Sequence, residues 1–230
     1  MLLENILRLL LREFKTRERV EINEFAEKVG VDLNSILETV EIYGFETKKG
    51  CVYLKDRRKV IFNLLNKGFD LEDILRYFDW RDLEDICAAF LTINGFYTMR
   101  NLRFKVHNKR YEIDVIGIKD EKLLLIDCKK WKRMSNSMLK NAVKKQFERS
   151  KAFSEVLDTI KIQIAYDRVI LIPAIVTMLP GDLVFYNSVP IIPITKFKNF
   201  LHDFENILDS LNSIEVKLRR LFESEAGFEA

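Results

Sequence analysis

Histidine is nearly missing from this chain: two residues, His107 and His202, in 230. Imidazole-based metal clusters and histidine relays are thereby excluded as the main chemistry. Three cysteines (Cys51, Cys87 and Cys128) are odd in number, widely spaced and without a CxxC pair, which argues against a disulfide framework or a zinc site and for reduced thiols in a cytoplasmic protein. Only 8 Gly and 4 Pro occur, too few for a collagen-like or low-complexity chain. No run approaches about 18 uninterrupted apolar residues, so no membrane span is expected. The start, MLLENILRLLLREF, is broken at helical spacing by Glu4, Arg8 and Arg12 and reads as a helix, not a secretion signal.

What is present is a well-patterned globular sequence, 48% apolar, with 38 Lys+Arg against 35 Asp+Glu. The net of +3 suggests no polyanionic partner by itself. Leu3, Ile6, Leu7, Leu10 and Phe14 mark a first helix over 2–14. Asn23 is expected to cap a short helix from Glu24 to Val29, ending at Gly30, and Asp32 a third, ending near Gly44. FETKKGCVYL then carries a hairpin signal at Lys49-Gly50. This order resembles the winged-helix form of the helix-turn-helix over residues 1–55, with Lys48, Lys49 and Lys55 in or beside the wing. A small helical bundle for protein contact is the alternative. Residues 56–78 read as a helical connector of two short helices split at Lys67-Gly68-Phe69.

From residue 79 the pattern becomes α/β. A helix opened by Asp79 or Asp82 runs to Asn94-Gly95. Three strands follow (FYTMRNLRFKV, RYEIDVIGI and KLLLIDCKKW), then a helix over about 136–158 and the strand VILIPAIVTM. The apolar piece IIPI and a helix capped by Thr195 come last, giving a mixed sheet flanked by helices. This unit is bounded at 79–202, with 203–230 as a C-terminal helical extension.

The chemistry concentrates on two strands. In RYEIDVIGI the apolar Tyr111, Ile113 and Val115 alternate with Glu112, Asp114 and Ile116, so that one face is buried and the other carries a charge, and the apolar run Leu123 to Ile126 stops at Asp127-Cys128-Lys129. Period two puts Asp127 and Lys129 on one face. If the strands are neighbours, Asp114 and Asp127 converge at one end of the sheet. Two ionised carboxylates need a cation or proton between them, and oxygen donors favour Mg²⁺ or Mn²⁺.

Asp114, then twelve residues, then Asp127-Cys128-Lys129 resembles the PD-(D/E)xK nuclease motif in its Asp-x-Lys variant. The preceding LEDICAAFLTINGF, with Glu84 on the first helix, is similar to the opening of the Mrr-type and archaeal Holliday-junction-resolvase branches. The resemblance implies a restriction-endonuclease-like αβββαβ core and a Mg²⁺- or Mn²⁺-dependent DNA nuclease of repair, recombination or restriction. It also implies that Asp114, Asp127 and the Cys128 carbonyl hold the metal, that Glu84 supports it, and that Lys129 orients the attacking water. Gln146 falls where related nucleases often carry a glutamine. FKVHNKRYEID stands where those branches often have a glycine-rich segment, which leaves the substrate type open. Two alternatives remain: a catalytically inactive DNA-binding protein on the same fold, and an RNA-processing endonuclease.

Local charge favours nucleic acid. Residues 100–151 hold 16 Lys+Arg against 6 Asp+Glu, whereas 1–78 are neutral and 203–230 hold 7 acids and 3 bases. Lys130, Lys132, Arg133, Lys144 and Lys145 are therefore the expected DNA contacts, and the resemblance adds Gln146 to them. No organic cofactor is implied. A symmetric cut of two strands would need two sites, which a homodimer would supply.

Overall fold

In the computed structural model, residues 2–78, 82–131, 133–160, 162 and 164–218 are described; the expected opening residue Asp79 and the candidate contact Lys132 lie outside them. The N-terminal part runs α1 (Leu2–Glu13), β1 (Arg19–Glu21), α2 (Ile22–Val29), α3 (Leu33–Tyr43), β2 (Glu46–Lys48) and β3 (Cys51–Tyr53), followed by α4 (Arg57–Asn66) and α5 (Leu71–Leu75). Ile6, Leu7, Leu10 and Leu11 bury one stripe of α1, as the 3–4 spacing requires. Glu21, not Asn23, caps α2: its carboxylate accepts the Glu24 N–H at 2.6 Å. Ile22 has to turn into the core, so the helix starts two residues earlier than the Asn23 signal suggested. Asp32 caps α3 as expected, accepting from Ser35 N–H at 2.9 Å, and Gly44 closes it at φ 80°. The strands form a small antiparallel sheet in the order β1-β3-β2.

The second part holds α6 (Leu83–Ile93), β4 (Tyr97–Val106), β5 (Lys109–Lys119), β6 (Lys122–Lys129), α7 (Asn136–Val156), β7 (Arg168–Thr177), β8 (Phe185–Tyr186), β9 (Val189–Pro193), α8 (Ile194–His202), α9 (Phe204–Ile207) and β10 (Ile214–Lys217). It is a mixed seven-stranded sheet in the order β4-β5-β6-β7-β9-β8. β4, β5 and β6 are antiparallel, β6, β7 and β9 parallel, and β10 pairs antiparallel with the start of β7. The parallel step from β6 to β7 uses α7 as its crossover. Pro193, in extended conformation, occupies the position before α8, so Thr195 lies inside the first turn and is not the cap. Over its described residues, 203–218, the expected helical extension is also different, residues 219–230 lying outside them: after the short α9 the chain turns into β10, whose Ile214 and Val216 face the sheet's apolar cluster. Alternation at Ile214 and Val216 is a strand period, and it overrides the helical reading of that tail.

Helices cover both faces. α6 and α8 pack on one, with Ile86, Phe90 and Phe197 against Val115, Leu124 and Ile126. α7 packs on the other, with Phe153 against Ile113, Ile116 and Leu125. The first of these clusters runs without a break from Ile6 on α1 to Leu211, through Val60, Ile61 and Leu64 of α4. Arg57–Asp82 (3.0 Å) and Arg8–Asp73 (3.1 Å) add ion pairs along this continuous core.

One close approach sets the position of α6. A Cβ on Gly117 of β5 would lie 2.7 Å from the Leu91 side chain, so the bare glycine lets the helix sit directly on the strand. Gly117→Ala should cost about 1–3 kcal/mol, read by urea unfolding, because Leu91 has to leave its rotamer or the helix has to lift.

Candidate active site

Asp114 stands at a joint in the sheet. The β4–β5 ladder pairs Arg100 with Val115 and Leu102 with Ile113 but leaves out Asn101 and Asp114. Asn101 has φ 52°. On the other side, the β5–β6 ladder ends at Val115–Ile126. Ile113 and Ile116, three residues apart, pack in the same cluster, whereas Val115 packs on the opposite face, so the alternation shifts at Asp114 while the pairing register stays the same on both sides. β5 leaves β6 there, and the Asp114 side chain fills the opening. Its Oδ2 accepts the Cys128 N–H at 2.7 Å.

Across the split, Asp127 ends the buried run of β6 and is itself buried. Its two oxygens meet two cations: Lys129 Nζ lies 2.5 Å from Oδ2 and Arg149 Nη1 2.9 Å from Oδ1. The Cys128 N–H points toward Asp114, and in a strand the C=O of a residue points to the same side as its N–H. The Cys128 carbonyl therefore faces the split as well, while the Lys129 carbonyl faces β7 and accepts the Met178 N–H at 3.2 Å.

The electrostatics of the two carboxylates differ. Burial, then the neighbouring Asp127 charge, push the Asp114 carboxyl up to about 6, against the pull of the Cys128 N–H and Lys129. Glu84, on the first turn of α6, adds to this upward push. Its own carboxylate pairs with Lys130 Nζ at 2.6 Å, and the adjacent Asp85 pairs with Arg100. Both first-turn acids of α6 are thus half-buried and engaged, not solvated.

A divalent ion fits the charge of this opening: Asp114 is a desolvated carboxylate repelled by a second one, and a hard oxygen donor, the Cys128 carbonyl, faces the same gap. Among the described residues no set of three or more carboxylate, thiol or imidazole groups converges ready for a metal. The Cys128 thiol turns away from the gap, 3.7 Å from the Cys87 thiol. This contact, then burial, raise it well above the ordinary thiol range, which makes it a poor nucleophile.

Of the other expected residues, Arg133, Lys144 and Lys145 are exposed. Gln146 is not a DNA contact: it is wholly buried, its Nε2 donates to the Leu125 carbonyl at 2.7 Å, and its Oε1 accepts from Arg149. It sits in the buried stripe Leu139, Ala142, Val143, Gln146, Ser150, Phe153 of α7, where a polar side chain has to find partners inside. Arg149, which the sequence shows only as one charge of the basic block, is a residue of the site that no local motif marks. Position 149 is one turn from Gln146 on α7, but its contact with Asp127 depends on how the helix lies across β6, which no local signal in the sequence gives. Gln146→Ala should destabilise the protein by about 2–3 kcal/mol in urea unfolding, since it strands the Leu125 carbonyl and loosens Arg149.

No helix among the described residues is long and apolar enough to cross a membrane. No family model matches the chain, and no curated protein matches it. Among solved structures, the crystal structure of protein VC1899 from Vibrio cholerae aligns over 91% of this chain with a TM-score of 0.33 and 14% identity; the chain spans about half (51%) of that protein's length.

Proposed function

We propose that this chain is a Mg²⁺- or Mn²⁺-dependent deoxyribonuclease of the PD-(D/E)xK type, an endonuclease preceded by a winged-helix-like module. The observation that carries the reading is the meeting of Asp114 and the Asp127-Cys128-Lys129 segment where β5 and β6 part. The order of helices and strands from residue 83 to 202, with three antiparallel strands followed by a helix and a parallel strand, supports the restriction-endonuclease-like core. The order α1-β1-α2-α3-β2-β3 and the sheet order β1-β3-β2 support the winged-helix reading.

A divalent ion bound at Asp114, Asp127 and the Cys128 carbonyl would acidify a water and stabilise the charge that develops on an attacked phosphodiester. The chain's own residues do the rest. Lys129, held over the Asp127 carboxylate, is positioned to orient the attacking water or to meet the developing negative charge. Arg149 and Gln146 hold Asp127 and β6 in register with α7. Glu84 and Lys130 close the α6 side of the opening.

One observation favours the alternative of an inactive DNA-binding protein: both Asp127 oxygens are already engaged by cations. Incubation of supercoiled plasmid with Mg²⁺, Mn²⁺ or EDTA separates the two readings. Metal-dependent nicking is expected, and Lys129→Ala should reduce it by at least about a hundredfold. Equal nicking by the wild type and by Lys129→Ala would reject the site. The same assay on single-stranded DNA, duplex, branched junction and RNA distinguishes a DNA enzyme from an RNA-processing one.

The N-terminal module brings little positive charge to DNA through its third helix. The outward positions of α3 include Leu33, Asn34, Leu37, Glu38 and Glu41, two acids and no cation. Lys55 is tied to Glu46 at 3.1 Å, which leaves Lys48 and Lys49 of the wing. Glu38→Gln with Glu41→Gln should therefore change duplex affinity less than twofold in a fluorescence-anisotropy titration, because these side chains face no phosphate.

A further inference from the structure

The β4–β5 hairpin continues past the joint at Asp114 as a two-stranded arm over residues 102–113, at the end of the sheet where Asp127 and Lys129 lie. One face of the arm is anchored. Phe104 stacks on Tyr111 with ring centroids 5.4 Å apart and packs on Phe153 of α7 at 5.3 Å. At the tip, His107 meets Glu155 at 3.1 Å and Lys109 meets Glu148 at 3.8 Å. The arm is thus a fixed ledge, tied to α7 along its length.

The other face carries Arg103, Lys105, Arg110 and Glu112, and these residues together with the Phe104–Tyr111 pair line a concave surface. Arg103 is neutralised by Glu112 at 3.0 Å. Lys105 and Arg110 are directly opposite each other in the ladder, both exposed, and neither has an ion-pair partner among the described residues. Like charges at directly opposed positions destabilise a ladder. Keeping two here is a cost that an anion lying across them would offset.

We propose that this arm binds the phosphate backbone of duplex DNA through Lys105 and Arg110, on the far side of a groove from the phosphodiester held at Asp114. This rests on the nuclease reading for what lies at Asp114, but the surface itself is independent of it. Four residue steps along the strand lead from Arg110 to Asp114, about 13 Å at the strand rise of roughly 3.3 Å per residue. That matches the roughly 12 Å width of the B-DNA major groove, so a rigid arm of this reach meets the opposite strand's phosphates. A single strand has no second backbone there.

The test is fluorescence anisotropy of labelled duplex and single-stranded DNA in EDTA across a salt series, with wild type, Lys105→Glu, the double variant Lys105→Glu/Arg110→Glu, and Lys198→Glu. Lys198 is exposed on α8, beside Ile93 and Asn94 at the C-terminal end of α6 and so toward the end of the sheet away from the arm, and its variant controls for net charge. Lys105→Glu converts a like-charge pair into an opposite-charge one, so its melting temperature should hold or rise while duplex affinity falls about tenfold. Unfolding therefore does not mimic the expected result. The double variant should lower the salt slope by about 2, as for two lost phosphate contacts, and single-strand affinity should change much less.

Duplex affinity equal to that of Lys198→Glu would overturn the arm and leave the nuclease reading standing. Equal losses on duplex and single strand would overturn the cross-groove placement. Tight, arm-dependent duplex binding without metal-dependent cleavage would uphold the arm and reject the nuclease. A wild type that binds RNA but not DNA, or neither, overturns the proposal.

Discussion

Asp114→Asn should make the metal-free protein more stable at pH 8 and abolish metal-dependent cleavage in the same preparation. The Asp114 carboxyl is held up at about 6 in the folded chain by burial and by Asp127, whereas an unfolded chain releases that proton near the ordinary aspartate value of about 3.9. The sign follows from proton counting. Below about pH 4 both states hold the proton and no penalty exists. Between about 4 and 6 the folded state holds more protons than the unfolded one, so stability falls as pH rises. Above about 6 the penalty is full, up to about 3 kcal/mol for a shift of this size. Asparagine is uncharged, keeps an oxygen to accept the Cys128 N–H, and removes the penalty. In EDTA the variant's advantage should therefore be absent at pH 4 and largest at pH 8, at about 2–4 °C of melting temperature per kcal/mol for a chain of this size.

Adding Mn²⁺ reverses the order. An ion that binds the folded state alone stabilises by mass action, about 2.7 kcal/mol at a hundred times its dissociation constant. The wild type should rise in melting temperature with Mn²⁺ at pH 8, and Asp114→Asn should not. A variant no more stable than wild type at pH 8 in EDTA would show that Asp114 is not the repelled carboxylate on which the metal reading depends. A melting temperature insensitive to Mn²⁺ in both proteins would count against the metal itself.

The layer order and the strand pair were legible in the sequence because each rests on local periodicity. The run Leu123 to Ile126 can be buried on both faces only in the sheet interior, and it is. The charge at Asp114 on the second face of its strand and the stop at Asp127 marked the two strand positions that the structure brings together. Partners contributed from a distant element were not legible. Arg149 reaches Asp127 from 22 residues away, and its role depends on how α7 lies across β6, which no local pattern encodes. Gln146 misled for the same reason: a polar residue on a basic helix reads as solvated until the stripe that contains it is placed against the sheet. The tail after residue 203 misled because a four-residue strand has too short a period to outweigh a helical neighbour. The joint at Asn101 and Asp114 left a faint trace, since Ile113 and Ile116 cannot share a face of a regular strand. That irregularity is what opens the sheet at the carboxylates.

The same chemical change at Asp127 should have the opposite sign. Asp127→Asn removes the countercharge of both Lys129 and Arg149, whose charged groups lie 2.5 and 2.9 Å from its oxygens. Two half-buried cations are then held together with no anion between them. Removing one partner of a buried ion pair typically costs about 3–5 kcal/mol, and the lower end applies here because both cations retain some access to water. Urea unfolding at pH 8 should show the loss, and Arg149→Gln in the Asp127→Asn background should restore part of it, with a coupling of about 0.5–3 kcal/mol between the two positions. Additive losses in this double-mutant cycle would mean that Arg149 does not hold Asp127. Cleavage should be lost in both aspartate variants, so activity alone cannot tell their roles apart, but stability can. A gain at Asp114 and a loss at Asp127 would identify Asp114 as the carboxylate short of a countercharge and Asp127 as the one the protein already neutralises, which puts the demand for a divalent ion on the β5 side of the split.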